Sequence, residues 1–133
     1  EEDLLATIDD EVRLVVPAMP EYLRLARVTA AGLASRLGFS FDEVEDLRLA
    51  IDELCFGLTG SEGRDGTVSI RYVLSSDQLL VEGTGTFSTD ARSSLSELSE
   101  VILDALVDEH HLGEGDDGPT FRLVKRRRDV QLR

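Results

Sequence analysis

The first clear pattern along the chain is an alternation of apolar and polar positions. Over residues 11–16, Val12, Leu14 and Val16 alternate with other residues, two of which are charged. A period of two is typical of a strand with one buried face. We therefore expect a strand over residues 11–16 that Pro17 ends.

Two segments with helical spacing follow this strand. The first begins after Pro20 and ends at Gly38, and its apolar residues recur at steps of three and four. They are Leu23, Ala26, Ala30, Leu33, Ala34 and Leu37. The second is expected to begin at Ser40, because Ser40 and Glu43 form a capping-box pattern, and to end at Gly60. Its apolar face consists of Val44, Leu47, Ile51, Leu54, Cys55 and Leu58.

The next segment predicts a pair of adjacent strands. Residues 68–72 and 79–81 carry β-favouring apolar residues, and the turn-forming residues 75–77 separate them. A hairpin is the simplest interpretation. Gly83 and Gly85 are expected to break its second strand.

The remaining pattern predicts a third helix over residues 95–106 and a last strand over residues 121–125, with an acidic, glycine-rich loop at residues 113–118 between them. Asp104, Asp108 and His111 fall at helical spacing, but such clusters at helix ends are usually solvated and we predict no metal site. The whole order predicts a two-layer α/β sandwich, with three helices on one face of a mixed, mainly antiparallel sheet.

Length and charge limit the function. The 133 residues suit a single domain over residues 1–133, with residues 1–9 a flexible lead-in and residues 129–133 a tail. The net charge of −13 argues against direct nucleic-acid binding, since it repels phosphates. An acidic surface suits a basic protein partner instead.

The single cysteine, Cys55, permits no internal disulfide, which fits a cytoplasmic protein. Its place near an apolar helix face predicts a small buried hydrophobe rather than a nucleophile. The sequence contains no apolar stretch near the roughly 20 residues that a membrane helix needs. Its acidic start is unlike a signal peptide.

Motifs in the first half of the chain resemble those of bacterial anti-sigma factors of the serine-protein-kinase class. These motifs are PAMPE (17–21), LAR (25–27) and EDLRLAIDELC (45–55), and FRLVK (121–125) matches the family's last strand more weakly. The resemblance implies the histidine-kinase-like ATPase (Bergerat-type) fold. It also implies ATP or ADP with magnesium as cofactor.

The second predicted helix carries the most specific part of the resemblance. In the family a Glu acts as base, and an Asn four residues later holds magnesium on the phosphates. Glu53 matches the Glu, while Gly57 stands at the Asn position and cannot coordinate a metal. Magnesium-dependent phosphoryl transfer relies on such charge neutralisation, so Gly57 argues against it.

The family's adenine motif, an Asp followed by two glycines at alternate positions, has two alignments here. If Phe87 is aligned with the family's Phe, Glu82 replaces the Asp. If Gly83 and Gly85 are aligned with the glycines, Val81 takes the Asp position. The family's glycine-rich lid corresponds to residues 93–99, which contain no glycine. The motifs therefore predict a degenerate nucleotide site around Glu53, Gly57, Glu82, Gly83 and Gly85.

The resemblance also implies that the chain binds protein partners. The family uses the Arg matched by Arg27 at its partner surface, and Arg24 lies one turn away on the same predicted helix. We expect a regulator that binds a sigma factor, an anti-anti-sigma protein of the STAS type, or both. A homodimer is implied by the resemblance alone. The alternative is an active ATP-dependent kinase that phosphorylates an anti-anti-sigma protein on serine, with Glu53 as base.

Overall fold

The computed structural model describes residues 10–89 and 93–128, which form five strands and three helices. In chain order these are β1 (Asp10–Pro17), α1 (Pro20–Arg36), α2 (Phe41–Thr59), β2 (Gly66–Leu74), β3 (Gln78–Phe87), α3 (Glu97–Leu106), β4 (Glu109–Gly115) and β5 (Gly118–Arg126). The predicted first strand, first two helices, hairpin and last strand all have counterparts, with bounds that differ by a few residues.

The five strands form one sheet in the order β1-β2-β3-β5-β4, and every neighbouring pair in it is antiparallel. The predicted α/β sandwich with a mainly antiparallel sheet is confirmed. Residues whose side chains face the helices are buried along the central strands, among them Val68, Ile70, Tyr72, Leu79, Val81, Phe121 and Leu123. The Tyr72 hydroxyl donates to the Ala26 carbonyl at 2.9 Å and so joins the sheet to α1.

The ends of α2 follow from local sequence. The Ser40 hydroxyl accepts from the Glu43 amide at 3.1 Å, and the Glu43 carboxylate accepts from the Ser40 amide at 2.8 Å, which is the predicted capping box. At the other end Gly60 has a φ of 81°, a left-handed conformation that favours glycine. Between these caps, α2 packs against α1 and the sheet with Leu47, Ile51 and Leu54 fully buried.

The expectation that Gly83 and Gly85 break a strand is wrong, because β3 continues through both to Phe87. A Cβ atom at Gly83 would lie 2.4 Å from the Phe121 ring, and one at Gly85 would lie 2.3 Å from the Phe87 ring. The two glycines therefore stay in the strand and leave space for aromatic rings that lie over them.

The expected loop at residues 113–118 is largely strand. The third helix ends at Leu106, and Glu109–Gly115 forms β4, which pairs with β5 through a tight turn. Pairing satisfies backbone groups of β5 that would otherwise lie at a sheet edge. Asp104 therefore lies on a helix and His111 on a strand. The two residues are not spaced along one helix, as the sequence pattern had suggested. Among the described residues no group of three metal-ligating side chains occurs.

Candidate functional site

Glu53 and Gly57 lie one turn apart on α2 and share a face of the helix. Glu53 is half-buried, and its Oε1 accepts a hydrogen bond from the Ser99 hydroxyl of α3 at 2.7 Å. Ser96, the N-cap of α3, donates in turn to the Ser99 Oγ at 3.1 Å. The candidate base is thus already engaged by a serine hydroxyl of its own chain.

The space above Gly57 is filled by apolar side chains and backbone. A Cβ atom built at Gly57 would lie 2.8 Å from Leu95 Cδ2, 3.0 Å from Leu112 Cδ2 and 3.1 Å from the Ser94 carbonyl oxygen. Magnesium requires oxygen ligands in near-octahedral geometry. A glycine covered by two leucines does not match that requirement, so the residues at this position do not fit a magnesium ligand.

Glu82 lies on the other face of the sheet, away from Glu53. Its Oε1 accepts from Arg71 Nη1 at 2.6 Å, and its Oε2 lies 3.7 Å from Arg122 Nε. Glu11 extends the same network, with Oε1 3.2 Å from Arg71 Nε. The hydrogen bond to Glu82 is the main cause that raises the pKa of Arg71. Glu82 is therefore an ion-pair partner on the open sheet face, and the structure does not bring it to Glu53.

The alternation of β3 distinguishes the two alignments of the glycine motif. Val81, Gly83 and Gly85 are buried on the side that faces the helices, whereas the intervening Glu82 and Thr84 are half-exposed on the other side. On the sheet face that is turned towards the helices, and so towards Glu53 and Gly57, it is therefore Val81 that precedes the two glycines. A valine offers no hydrogen bond to an adenine amino group.

Arg24 and Arg27 are brought together at a cavity of about 200 Å³ between α1 and α2. Arg27 Nη1 donates to Asp52 Oδ2 at 2.7 Å, which joins the two helices. The Arg27 Nε atom is buried, and within the described residues it has no hydrogen-bond partner. An unpaired buried donor is costly, so Arg27 carries an unsatisfied hydrogen-bonding group in a residue that lines the cavity.

Several large apolar side chains near this cavity and along α1 are exposed. Phe56 of α2 lines the cavity. Over the N-cap and the start of α1, Met19, Tyr22, Leu25 and Val28 are exposed at steps of three. These exposed side chains could not be predicted from the core pattern because they fall outside the core period of their helices. Large apolar residues at those intervening positions were the available signal.

Cys55 lines the same cavity but is only 4% exposed. Burial, with a smaller contribution from Asp52, raises the pKa of its thiol to about 12. The prediction of a small buried hydrophobe is confirmed. A thiol of this kind is not a nucleophile at neutral pH.

The antiparallel sheet with helices against one face, and a Glu-bearing second helix, define the class of histidine-kinase-like ATPase domains. No family model matches the chain. It is 41% identical over 75 residues to serine-protein kinase RsbW of Bacillus subtilis. That alignment covers 54% of this chain and 47% of that protein. Over 138 residues it is 32% identical to serine-protein kinase RsbW of Bacillus licheniformis, which covers 87% of this chain and 85% of that protein.

The chain therefore belongs to the RsbW family of serine-protein kinases and anti-sigma factors, as its motifs indicated. The match to RsbW of Bacillus pumilus, 37% identical over 75 residues, covers 46% of that protein. In this match and the Bacillus subtilis one, the chain spans about half the length of the relative. Among the described residues no helix is long and apolar enough to cross a membrane.

Proposed function

We propose that this domain is a cytoplasmic anti-sigma-type regulator that acts by binding protein partners, namely a sigma factor and an anti-anti-sigma protein of the STAS type. The observation that carries the proposal is the surface at the α1–α2 cavity, where Arg24 and Arg27 lie together beside exposed apolar side chains. Membership of the RsbW family supplies the class of partner.

The chemistry of this surface describes what a partner should present. The guanidinium of Arg27 is part-exposed at the cavity, its Nε has no acceptor among the residues that the structure describes, and a carboxylate is the strongest acceptor for a guanidinium. Phe56 of α2 lines the same cavity and offers exposed apolar area there, and aromatic residues and arginine dominate the binding energy of many interfaces. The partner should therefore insert an acidic side chain flanked by apolar residues. The net charge of −13 favours a partner that is basic outside this contact.

Partner binding in this proposal requires no nucleotide, because the ATP site is degenerate. Three features support this: Gly57 supplies no metal ligand, Leu95 and Leu112 fill the space above it, and Val81 stands at the adenine-reading position. Each removes a contact that the family motifs would provide. Together they favour a binding module on an ATPase scaffold.

The test is a calorimetric titration of the domain with sigma factors and STAS-type proteins of the same organism, with and without ATP and magnesium. Arg27→Ala and Arg24→Ala should weaken binding by about 10- to 100-fold, the range of interface hot spots. Arg36→Ala, at the exposed far end of α1, is the matched control and should change affinity by less than about threefold. Equal affinities for all three variants would contradict the proposed surface.

A second candidate function is favoured by one observation, the 2.7 Å hydrogen bond from the Ser99 hydroxyl to Glu53. Glu53 accepts a hydrogen bond from a serine hydroxyl at the distance that a general base needs, which supports a role as base. An active kinase would phosphorylate the STAS-type protein on serine. Radiolabelled ATP with magnesium tests this, and Glu53→Gln should abolish transfer while Glu45→Gln, a half-exposed residue of the same helix, should not.

The homodimer implied by the family stays a prediction. Sedimentation velocity at micromolar concentration measures it directly. A single species at the monomer mass of 14.6 kDa would contradict it.

A further inference from the structure

Residues 93–99, here named the covering segment, lie across the face of α2 that carries Glu53 and Gly57. The Ser93 hydroxyl donates to the Leu58 carbonyl at 3.0 Å, and the Ser99 hydroxyl donates to Glu53 at 2.7 Å. Between these two anchors, Leu95 lies directly over Gly57. Polar contacts at both ends and an apolar contact in the middle hold one segment on one helical face.

Two separate elements converge on Gly57. Leu95 comes from the covering segment and Leu112 from β4, and both are partly buried against the core. Their Cδ2 atoms would lie 2.8 and 3.0 Å from a Cβ at position 57. Glycine is thus the residue that lets both leucines reach the helix backbone. A side chain at this position would force Leu95 to move and would crowd Leu112 and the backbone of Ser94.

The start of α3 orients the polar anchor. Ser96 accepts from the Ser99 amide at 3.0 Å and donates to the Ser99 Oγ at 3.1 Å. The Ser99 hydroxyl proton is thereby directed to Glu53, in a chain of three oxygens whose hydrogen bonds reinforce one another. A helix N-cap and a candidate general base are parts of the same small network.

We propose that the covering segment is a built-in occupant of this face, in which Ser99 acts as a pseudosubstrate for Glu53 and Leu95 seals the space above Gly57. A nucleotide or a serine of another protein can reach Glu53 only after the segment leaves, so the contact is autoinhibitory if the domain has the kinase activity of the second candidate function, on which this part of the inference rests. Exposed Glu97 and Glu100 beside Ser99 add negative charge that opposes the approach of phosphates. The inference rests on other contacts than the partner surface does, because the covering segment contacts Glu53, Gly57 and Leu58, whereas the partner surface is centred on Arg24 and Arg27.

Hydrogen exchange of the full chain, followed by mass spectrometry on peptides that cover residues 93–106, tests the inference. Leu95→Ala removes the seal, and Leu98→Ala is its matched control, since Leu98 lies in the same stretch but is 68% exposed. Loss of the seal should raise exchange by about tenfold in Leu95→Ala and by less than threefold in Leu98→Ala. Equal effects of the two substitutions would overturn the proposal.

A larger residue at position 57 of α2 gives a second test that leaves Leu95 unchanged. Gly57→Ala should push the covering segment away and raise its exchange by about tenfold, whereas Gly32→Ala in α1, where a Cβ meets no atom within 4 Å, should leave it unchanged.

The polar anchor is tested in the same assay. Ser99→Ala should raise the exchange by about fivefold, and Ser99→Thr, which keeps the hydroxyl, should restore protection. A wild-type segment that exchanges at the rate of an unstructured peptide would overturn the proposal outright.

Discussion

Arg27 of α1 donates a 2.7 Å hydrogen bond to Asp52 of α2, and the two side chains are 33% and 43% exposed. Ion pairs with this degree of exposure contribute only about 0.2–1 kcal/mol to stability, because water screens them. The same arginine lines the α1–α2 cavity, and its buried Nε has no hydrogen-bond partner within the described part of the chain. We therefore expect Arg27 to contribute more to partner binding than to folding.

The first prediction separates these two roles. Arg27→Ala should lower the free energy of unfolding by less than about 1 kcal/mol while it weakens partner binding by tenfold or more. Urea denaturation and calorimetry on the same preparation measure both quantities. A loss of stability much larger than this would show that Arg27 is mainly structural.

The second prediction concerns Glu43, which joins the start of α2 to Arg128, just after β5. Its carboxylate accepts from the Ser40 amide and from the Arg128 amide, each at 2.8 Å. Burial raises its pKa, but the hydrogen bonds from Ser40 and Arg128 outweigh burial and the net pKa is lowered. Glu43→Ala should cost about 1–3 kcal/mol at pH 7, since it removes a cap and leaves two amides unpaired.

The lowered pKa of Glu43 also sets the sign of a pH effect. Its stabilisation is fully present above the unfolded value of 4.5 and is lost as pH falls through the lower folded pKa. The stability gap between wild type and Glu43→Ala should therefore shrink below pH 4.5. Asp42→Asn, an exposed change in the same helical turn, is the control and should show no comparable gap at pH 7. A gap that stays constant down to acid denaturation would contradict this account of Glu43.

The third prediction compares two glycines. Gly83→Ala places a Cβ 2.4 Å from the buried Phe121 ring and should destabilise the fold by about 1–3 kcal/mol, the usual cost of overpacking. Gly32→Ala, in open space within α1, should stabilise by about 0.5–1 kcal/mol through higher helix propensity. Thermal unfolding of both variants measures the difference, and shifts in the same direction would contradict it.

The fourth prediction concerns Cys55. A thiol with a pKa of about 12 is ionised in about one molecule in ten thousand at pH 8, and burial blocks its access to reagents. At pH 8 the native protein should thus react with a thiol reagent at least about 100-fold more slowly than the protein unfolded in 6 M guanidinium. In most molecules the Cys55 thiol becomes reactive only when the protein unfolds. Rapid native labelling would show that the α1–α2 cavity opens readily.

Much of the fold could be predicted because its signals are local. The spacing of Leu47, Ile51 and Leu54 predicts α2, and Ser40 and Gly60 mark its ends without reference to any other segment. The family motifs located Glu53 and Gly57 for the same reason, since both lie in one continuous helix. Residues at fixed steps within a segment share a face in any fold that keeps the segment helical.

Other features depend on segments that only the tertiary structure brings together. Lys125 belongs to a basic run at the end of the chain, yet it is buried and its Nζ donates to the Leu106 carbonyl at 2.6 Å. Glu82 lies in the expected motif, yet strand alternation and pairing place it on the open face with Arg71. Neither position is encoded by neighbouring residues.

The sequence by itself determined the helices, the hairpin and the family, because hydrophobic period, caps and motifs act over a few residues. The tertiary structure decided that an acidic glycine-rich stretch becomes β4, since β5 offers it an edge to pair with. It also decided that Leu95 and Ser99 lie on Gly57 and Glu53. Those contacts join residues about 40 positions apart, so they exist only after the sheet and helices have assembled around a common core.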